Sequence, residues 1–182
     1  GVGVDLGGRD GGAGVQVAHH SVDLRVDQLL RGCSALLGIT RVVFGHGTLA
    51  QVPDEVARLG HTRALVLCTP HQQAEAQALA DRLGTKAAGI FAGATMHTPT
   101  DVTDQAVSLG GGSTTGLGKA IAIRTGADQV VIPTTYAGSE MTDILGETAG
   151  GEKTTRRDPA IRPEVVVYDV DLTLTLPLGL TV

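Results

Sequence analysis

The chain has 182 residues, 42% of them apolar and 18% charged, which is enough for one domain with a real core. A net charge of −5 and an aromatic content of 2% weigh against a nucleic-acid surface, which needs a basic face and stacking platforms. No apolar run reaches the ~18 residues of a membrane span, and the start lacks the basic-then-apolar layout of a secretory signal. Cys33 and Cys68 are far apart and fit no metal spacing. They read as two free thiols of a cytoplasmic protein.

Residues 1–38 are glycine-rich without a sustained period, and weak order is expected there, with one helix around "VDQLLRGCSALL". From residue 39 a single α/β domain is expected to run to 182. "RVVF" is a short β-branched strand. "TLAQVPDEVARLG" carries Leu49, Val52, Val56 and Leu59 near helical spacing and ends on Gly60. "RALVLCT" is continuously apolar, as a strand covered on both faces is. "PHQQAEAQALADRLG" begins with proline and ends with glycine, the asymmetry of a helix. "KAAGIFAG" reads as a strand and "TPTDVTDQAV" as a helix start. A helix at 114–125, the strand "QVVIPTT" and the strand "EVVVYD" follow. This alternation predicts a mostly parallel sheet with flanking helices. "ILGETAGGEKTTRRDP" breaks the rhythm with two polar arms around "AGG", and reads as a β-hairpin excursion.

The densest signal is "SLGGGSTTGLGKAIAI", residues 108–123. Gly110, Gly111 and Gly112 follow a short apolar run and precede a helix. Glycine admits a sharp turn and the close approach of a ligand. The free N–H groups at the helix start then face an anion. Ser113 and Thr114 are candidates to cap the helix or to donate to a phosphate oxygen. A pyrophosphate beyond the carboxyl ends of the strands is the natural guest of such a loop. A P-loop needs glycine five residues before Gly118, where Ser113 stands, and a hydroxyl after Lys119, where Ala120 stands. The G-x-G-x-x-G pattern fails too, with Thr115 in place of its third glycine. Spacing alone leaves the nucleotide open.

"GGGSTTGLGKAIA", "PTTYAGSEMTDILGE" and "PEVVVYDVDLTLTLP" together resemble the iron-containing alcohol dehydrogenase superfamily, and within it the maleylacetate reductases most. The resemblance covers about residues 41–182. It implies a Rossmann-like NAD(P)-binding domain, normally followed by a helical domain that carries metal or substrate ligands. Matched residue by residue, Gly110, Gly111, Gly112 and Ser113 would hold the pyrophosphate, Thr134, Thr135 and Ser139 would wrap the nucleotide, and Lys153 would lie near the adenosine. Many relatives carry an aspartate where Thr69 stands. A neutral hydroxyl there implies tolerance of NADPH as well as NADH.

The resemblance also implies an oxidoreductase that reduces the carbon–carbon double bond of maleylacetate, a small dicarboxylate, to 3-oxoadipate in aromatic-compound breakdown. The full-length protein would be a homodimer. Its rivals are a metal-dependent alcohol dehydrogenase of the same superfamily and a noncatalytic nucleotide-binding fragment. Two departures bear on this. Only residues 98–109 separate "HTP" from the glycine loop, where the family has a full helix and strand, so the sheet is expected to be short of a strand beneath that loop and its grip on a cofactor weakened. The chain also stops where the helical domain begins, so catalytic residues and metal ligands are expected to lie outside it and the isolated chain to be inactive. His19, His20, His46 and His97 read as solvated or structural, and Arg156 and Arg157 as a solvated hairpin. Tyr136 could pack on a nicotinamide or simply fill its loop.

Overall fold

The computed structural model describes residues 40–93, 105–149 and 152–180. The N-terminal segment, with its expected helix, Cys33, His19 and His20, lies outside the described residues, as do His97 and residues 98–104. Eight strands and three α-helices are described: β1 Arg41–Gly45, α1 Val52–Arg58, β2 Ala64–Cys68, α2 Gln73–Leu83, β3 Ala87–Ala92, β4 Gln105–Gly110, α3 Gly112–Thr125, β5 Asp128–Pro133, β6 Ile144–Ala149, β7 Glu152–Arg157 and β8 Val165–Asp169. Six of the strands form one sheet in the order β1-β8-β5-β4-β2-β3, and every adjacent pair is parallel. β6 and β7 form the separate antiparallel hairpin expected from "ILGETAGGEKTTRR".

Alternating side chains divide the core between two faces, as the two-residue period of a strand requires. On one face Ala64, Val66 and Cys68 of β2, Val107 and Leu109 of β4, and Val130 and Ile132 of β5 pack with Val52 and Val56 of α1 and with Ala76, Leu79, Ala80 and Leu83 of α2. On the other, Leu65, Leu67 and Ala106 meet Ile121 and Leu117 of α3. Continuous burial of the central strands explains the unbroken apolar run of "ALVLC", since all five of its residues are buried.

β4 corrects one expectation. Residues 105–110 are a full strand, hydrogen-bonded to β2 on one side and β5 on the other. The sheet therefore has its strand beneath the glycine loop. β4 lies next to β5 with Gly110 opposite Pro133, so the C-terminal ends of the two strands are level. Helix α3 rides close over β4 because position 118 is glycine: a Cβ there would collide with Ser108 Oγ. Gly126, with φ +74°, ends α3 and donates its N–H to the Ala122 carbonyl at 2.8 Å.

Candidate dinucleotide site

From β2 the chain moves outward to β3, and from β4 it moves the other way to β5. The carboxyl ends of β2 and β4 therefore flank the point where the strand order reverses, which opens a crevice in sheets of this kind. Thr69 follows β2, Gly110 ends β4, and Thr134 follows β5, so three of the sequence-predicted positions reach this edge together. They are linked directly. Thr69 Oγ1 donates to Gln72 Oε1 at 2.9 Å, Gln72 Nε2 donates to Thr134 Oγ1 at 3.1 Å, and the Thr134 N–H donates to the Gly110 carbonyl at 3.1 Å. Gln72 was not anticipated; its only signal was its place three residues after Thr69 in "TPHQ".

The glycines have separate reasons. Gly110 has φ +153°, and a Cβ on it would strike Thr114 Oγ1 and lie 3.0 Å from Gln72 Oε1. Gly111 is the N-cap of α3, and its Cβ would crowd Thr135. Gly112 is the first helical residue, 3.5 Å at its Cβ position from the Ala137 Cβ. No side chain caps α3, which corrects the expectation for Ser113 and Thr114. The helix starts at Gly112, two residues too early for Ser113 to cap it and three for Thr114. Ser113 is exposed on the first turn, and Thr114 is buried. The first-turn N–H groups have no intrahelical carbonyl, as at any helix start. The ladder begins with the Thr115 N–H on the Gly111 carbonyl at 3.1 Å.

Thr114 is 2% exposed, yet its hydroxyl oxygen has no hydrogen-bond partner among the described residues. A buried orphan at a glycine-lined helix N-terminus is what an anion-accepting site predicts. The residues present thus fit a pyrophosphate, through backbone donors, one orphan hydroxyl and a cradle that a Cβ would fill.

The loop after β5 forms the next wall. Thr135 and Tyr136 border a cavity of about 520 Å³ that is otherwise lined mainly by Phe44, Pro133, Tyr168, Val170 and Leu174. Tyr136 is 61% exposed. At the cavity wall the Tyr168 hydroxyl donates to Glu140 Oε1 at 2.9 Å. Burial and this carboxylate together push the Tyr168 hydroxyl well above its ordinary range. Asp169, also on the wall, accepts backbone N–H bonds from Gly47, Leu49 and Asp171.

Ser139 acts through its backbone: its carbonyl accepts from Lys119 Nζ at 2.5 Å. Lys119 therefore points away from the glycine loop, unlike a P-loop lysine. Burial lowers its pKa, and the Glu140 and Asp143 carboxylates partly restore it. Lys153 sits on β7 opposite Thr148, and its side chain lies outside the described residues. Arg157 stands 3.7 Å from Asp143, and Arg156 stands 3.4 Å from Asp158, on an exposed hairpin. His46 Nδ1 pairs with Asp171 Oδ1 at 2.9 Å, an exposed structural contact. Cys68 is a free, buried thiol, raised in pKa chiefly by burial. Among the described residues no group of three or more His, Cys, Asp or Glu could hold a metal ion, and no helix is long and apolar enough to cross a membrane.

An open parallel sheet with a glycine-lined helix start at its order reversal defines a nucleotide-binding α/β domain. Within that class the chain belongs to the iron-containing alcohol dehydrogenase family, whose pattern matches residues 40–170. It is 60% identical over 153 residues to the maleylacetate reductase of Rhizobium sp. (strain MTP-10005), covering 78% of this chain and 44% of that protein. The crystal structure of the maleylacetate reductase from Agrobacterium tumefaciens aligns with a TM-score of 0.73 at 58% identity, covering 78% of this chain and 44% of the other. An iron-containing alcohol dehydrogenase from Corynebacterium glutamicum aligns with a TM-score of 0.70 at 36% identity, over 79% and 43% of the two chains. The chain thus spans less than half the length of the curated relatives it matches.

Proposed function

We propose that this chain is the dinucleotide-binding wall of an NAD(P)H-dependent reductase that converts maleylacetate to 3-oxoadipate. The observation that carries the reading is the glycine cradle at the strand-order reversal, with the orphan Thr114 hydroxyl inside it. The 58–60% identity to maleylacetate reductases supports that substrate over an alcohol.

A nicotinamide held here would supply a hydride for the carbon–carbon double bond, with a proton from solvent or a donor group to balance the reduction. This chain's own residues bind and orient. The first-turn N–H groups of α3 and the Thr114 hydroxyl hold the pyrophosphate. Gly110 and Gly111 let it approach the backbone. Thr134 and Thr135 close the crevice from the β5 side. Thr69 takes the ribose end as a neutral group, so both cofactors are accepted. The cavity beside Tyr136, lined by Phe44, Pro133 and Val170, would hold the nicotinamide end and exclude water there. Groups that bind the dicarboxylate and stabilise the enolate formed by hydride addition lie beyond this chain.

The test is calorimetric titration of the chain with NADH and NADPH, competed by ADP-ribose. Turnover is assayed on a protein extended to the relatives' length, with 3-oxoadipate identified by mass spectrometry. Absence of binding would remove the cofactor assignment. Alcohol oxidation without maleylacetate reduction would remove the substrate.

A further inference from the structure

Lys119 is the largest fully buried side chain among the described residues, with 0% exposure. A buried ammonium is costly unless its donors are met. Here they are met by a single short segment. Nζ donates to the Ser139 carbonyl at 2.5 Å, the Thr142 carbonyl at 2.8 Å, Thr142 Oγ1 at 3.0 Å and the Ile144 carbonyl at 3.0 Å. All four partners are uncharged oxygens, and an ammonium has three hydrogens, so one is shared. Thr142 Oγ1 also donates to the Ser139 carbonyl at 3.0 Å, which closes the cage.

Residues 134–143 between β5 and β6 hold only one short 3-10 turn, Ser139–Met141, entered through Gly138 at φ +72°. Besides the bonds of Thr134 to Gln72 and Gly110 and of Glu140 to Tyr168, this stretch touches α3 at two heights. At the helix start, Thr135 and Ala137 lie against Gly111 and Gly112. Two turns further along, Lys119 gathers the carbonyls of the far end. The same helix that presents its N-terminus to the crevice therefore holds the loop that walls the crevice.

We propose that Lys119 is a positioning residue of the dinucleotide site: its ammonium pins the loop after β5 to the glycine-loop helix and so sets cofactor affinity without touching the cofactor. This rests on the dinucleotide reading above. Without the cation, the Ser139 carbonyl keeps only its bonds from Thr142, the Thr142 and Ile144 carbonyls lose the donor they share, and the segment opens toward solvent to rehydrate them. Thr135 then loses its fixed place against Gly111, while Thr134 stays tied to Gly110 and Gln72.

The experiment compares the 182-residue chain with its Lys119→Met and Thr142→Val variants by hydrogen exchange and by NADH titration. Thr142→Val is the gentle variant: it keeps the lysine and removes one of its four acceptors. Lys119→Met is expected to speed exchange at least tenfold at residues 139–144, leave β4 and β5 protected, and weaken NADH at least tenfold. Thr142→Val is expected to move both readouts the same way by a smaller factor. Should Lys119→Met not fold, Thr142→Val alone carries the test. Uniformly faster exchange, unchanged exchange, or a loosened loop with unchanged affinity would each overturn the proposal. If the parent chain binds no dinucleotide, the cofactor reading fails, whereas loop-local exchange still reports the pin.

Discussion

A Cβ built on Gly111 would stand 3.0 Å from Thr135 Oγ1 and 3.2 Å from Thr135 Cγ2. The glycine loop and the loop after β5 therefore touch at a point where any side chain makes Thr135 give way by a few tenths of an ångström. Gly111→Asp places both bulk and negative charge there. We expect dinucleotide affinity to fall at least tenfold, about 1.4 kcal/mol, while circular dichroism shows the fold retained. Gly111→Ala separates the two effects, since it adds the crowding without the charge. Unchanged NADPH binding in a folded Gly111→Asp variant would show that the loop holds no phosphate.

Thr69 donates to Gln72 Oε1, and an aspartate in its place has no proton to donate. Thr69→Asp must turn the Gln72 amide or lose the contact, and it sets a negative charge at the end of β2. A 2′-phosphate is repelled by that charge, whereas ribose hydroxyls can donate to it. The variant should weaken NADPH at least tenfold more than NADH in parallel titrations. Equal losses would place the ribose elsewhere.

At the opposite end of the sheet Glu164 Oε2 accepts the Gln129 N–H at 2.6 Å. His61 Nε2 lies 2.7 Å from Asp128 Oδ2 in the same cluster. Burial, and then the Asp128 charge, push the Glu164 carboxyl up to about 7, against the pull of the Gln129 N–H and His61. A raised acid binds its proton more tightly in the folded state than in the unfolded one. Its contribution is therefore full below about pH 4.5 and is lost as pH rises through about 7, by at most about 3 kcal/mol. Thermal melts from pH 4.5 to 8 should show this decline, and Glu164→Gln should flatten it. A variant with the parent's pH slope would place the titration on another group.

Hydride transfer needs donor and acceptor carbons held at near-attack distance in a site that excludes water. On the function proposed above, the crevice and the cavity beside Tyr136 form one wall of such a site. We expect the 182-residue chain to bind dinucleotide, because β4 is in place beneath the loop, but to show no maleylacetate-dependent loss of absorbance at the reduced nicotinamide band. Comparable rates from this chain and from a protein of the relatives' length would move the catalytic groups into residues 1–182.

Much of this architecture was legible because strand and helix periods differ. The buried run at 64–68, the Pro70-to-Gly84 helix and the two polar arms of the hairpin each follow from local pattern. The strand at 105–110 was harder to read. Its residues "QAVSLG" carry a serine and end on glycine, and the polar stretch before them resembles a helix start. Ser108 is tolerated there only because Gly118 leaves it room, a relation between residues on two elements. The glycine loop was readable as a strand-to-helix turn, but its details depend on where α3 begins. Starting at Gly112 rather than Thr114 turns Ser113 and Thr114 from caps into first-turn residues. Lys119 and Gln72 could not be placed from spacing, because their partners lie 20 to 25 and 62 residues away in the chain.

The strand order also has a temporal consequence. β1, the first strand described, has only one neighbour in the sheet, and that neighbour is β8, the last. Thr40 Oγ1 reaches the Pro163 carbonyl across 123 residues of chain. At synthesis rates of 5–20 residues per second, β1 waits roughly 6–25 seconds for its partner. During that interval Val42 and Phe44, exposed even in the finished fold, stand on a strand with no ladder on either side. Assembly of the β2–β5 core can proceed meanwhile, so closure of the β1 edge is a late, long-range event. A nascent chain released before β8 emerges would carry an unpaired apolar strand, the feature that chaperones recognise and that aggregation exploits.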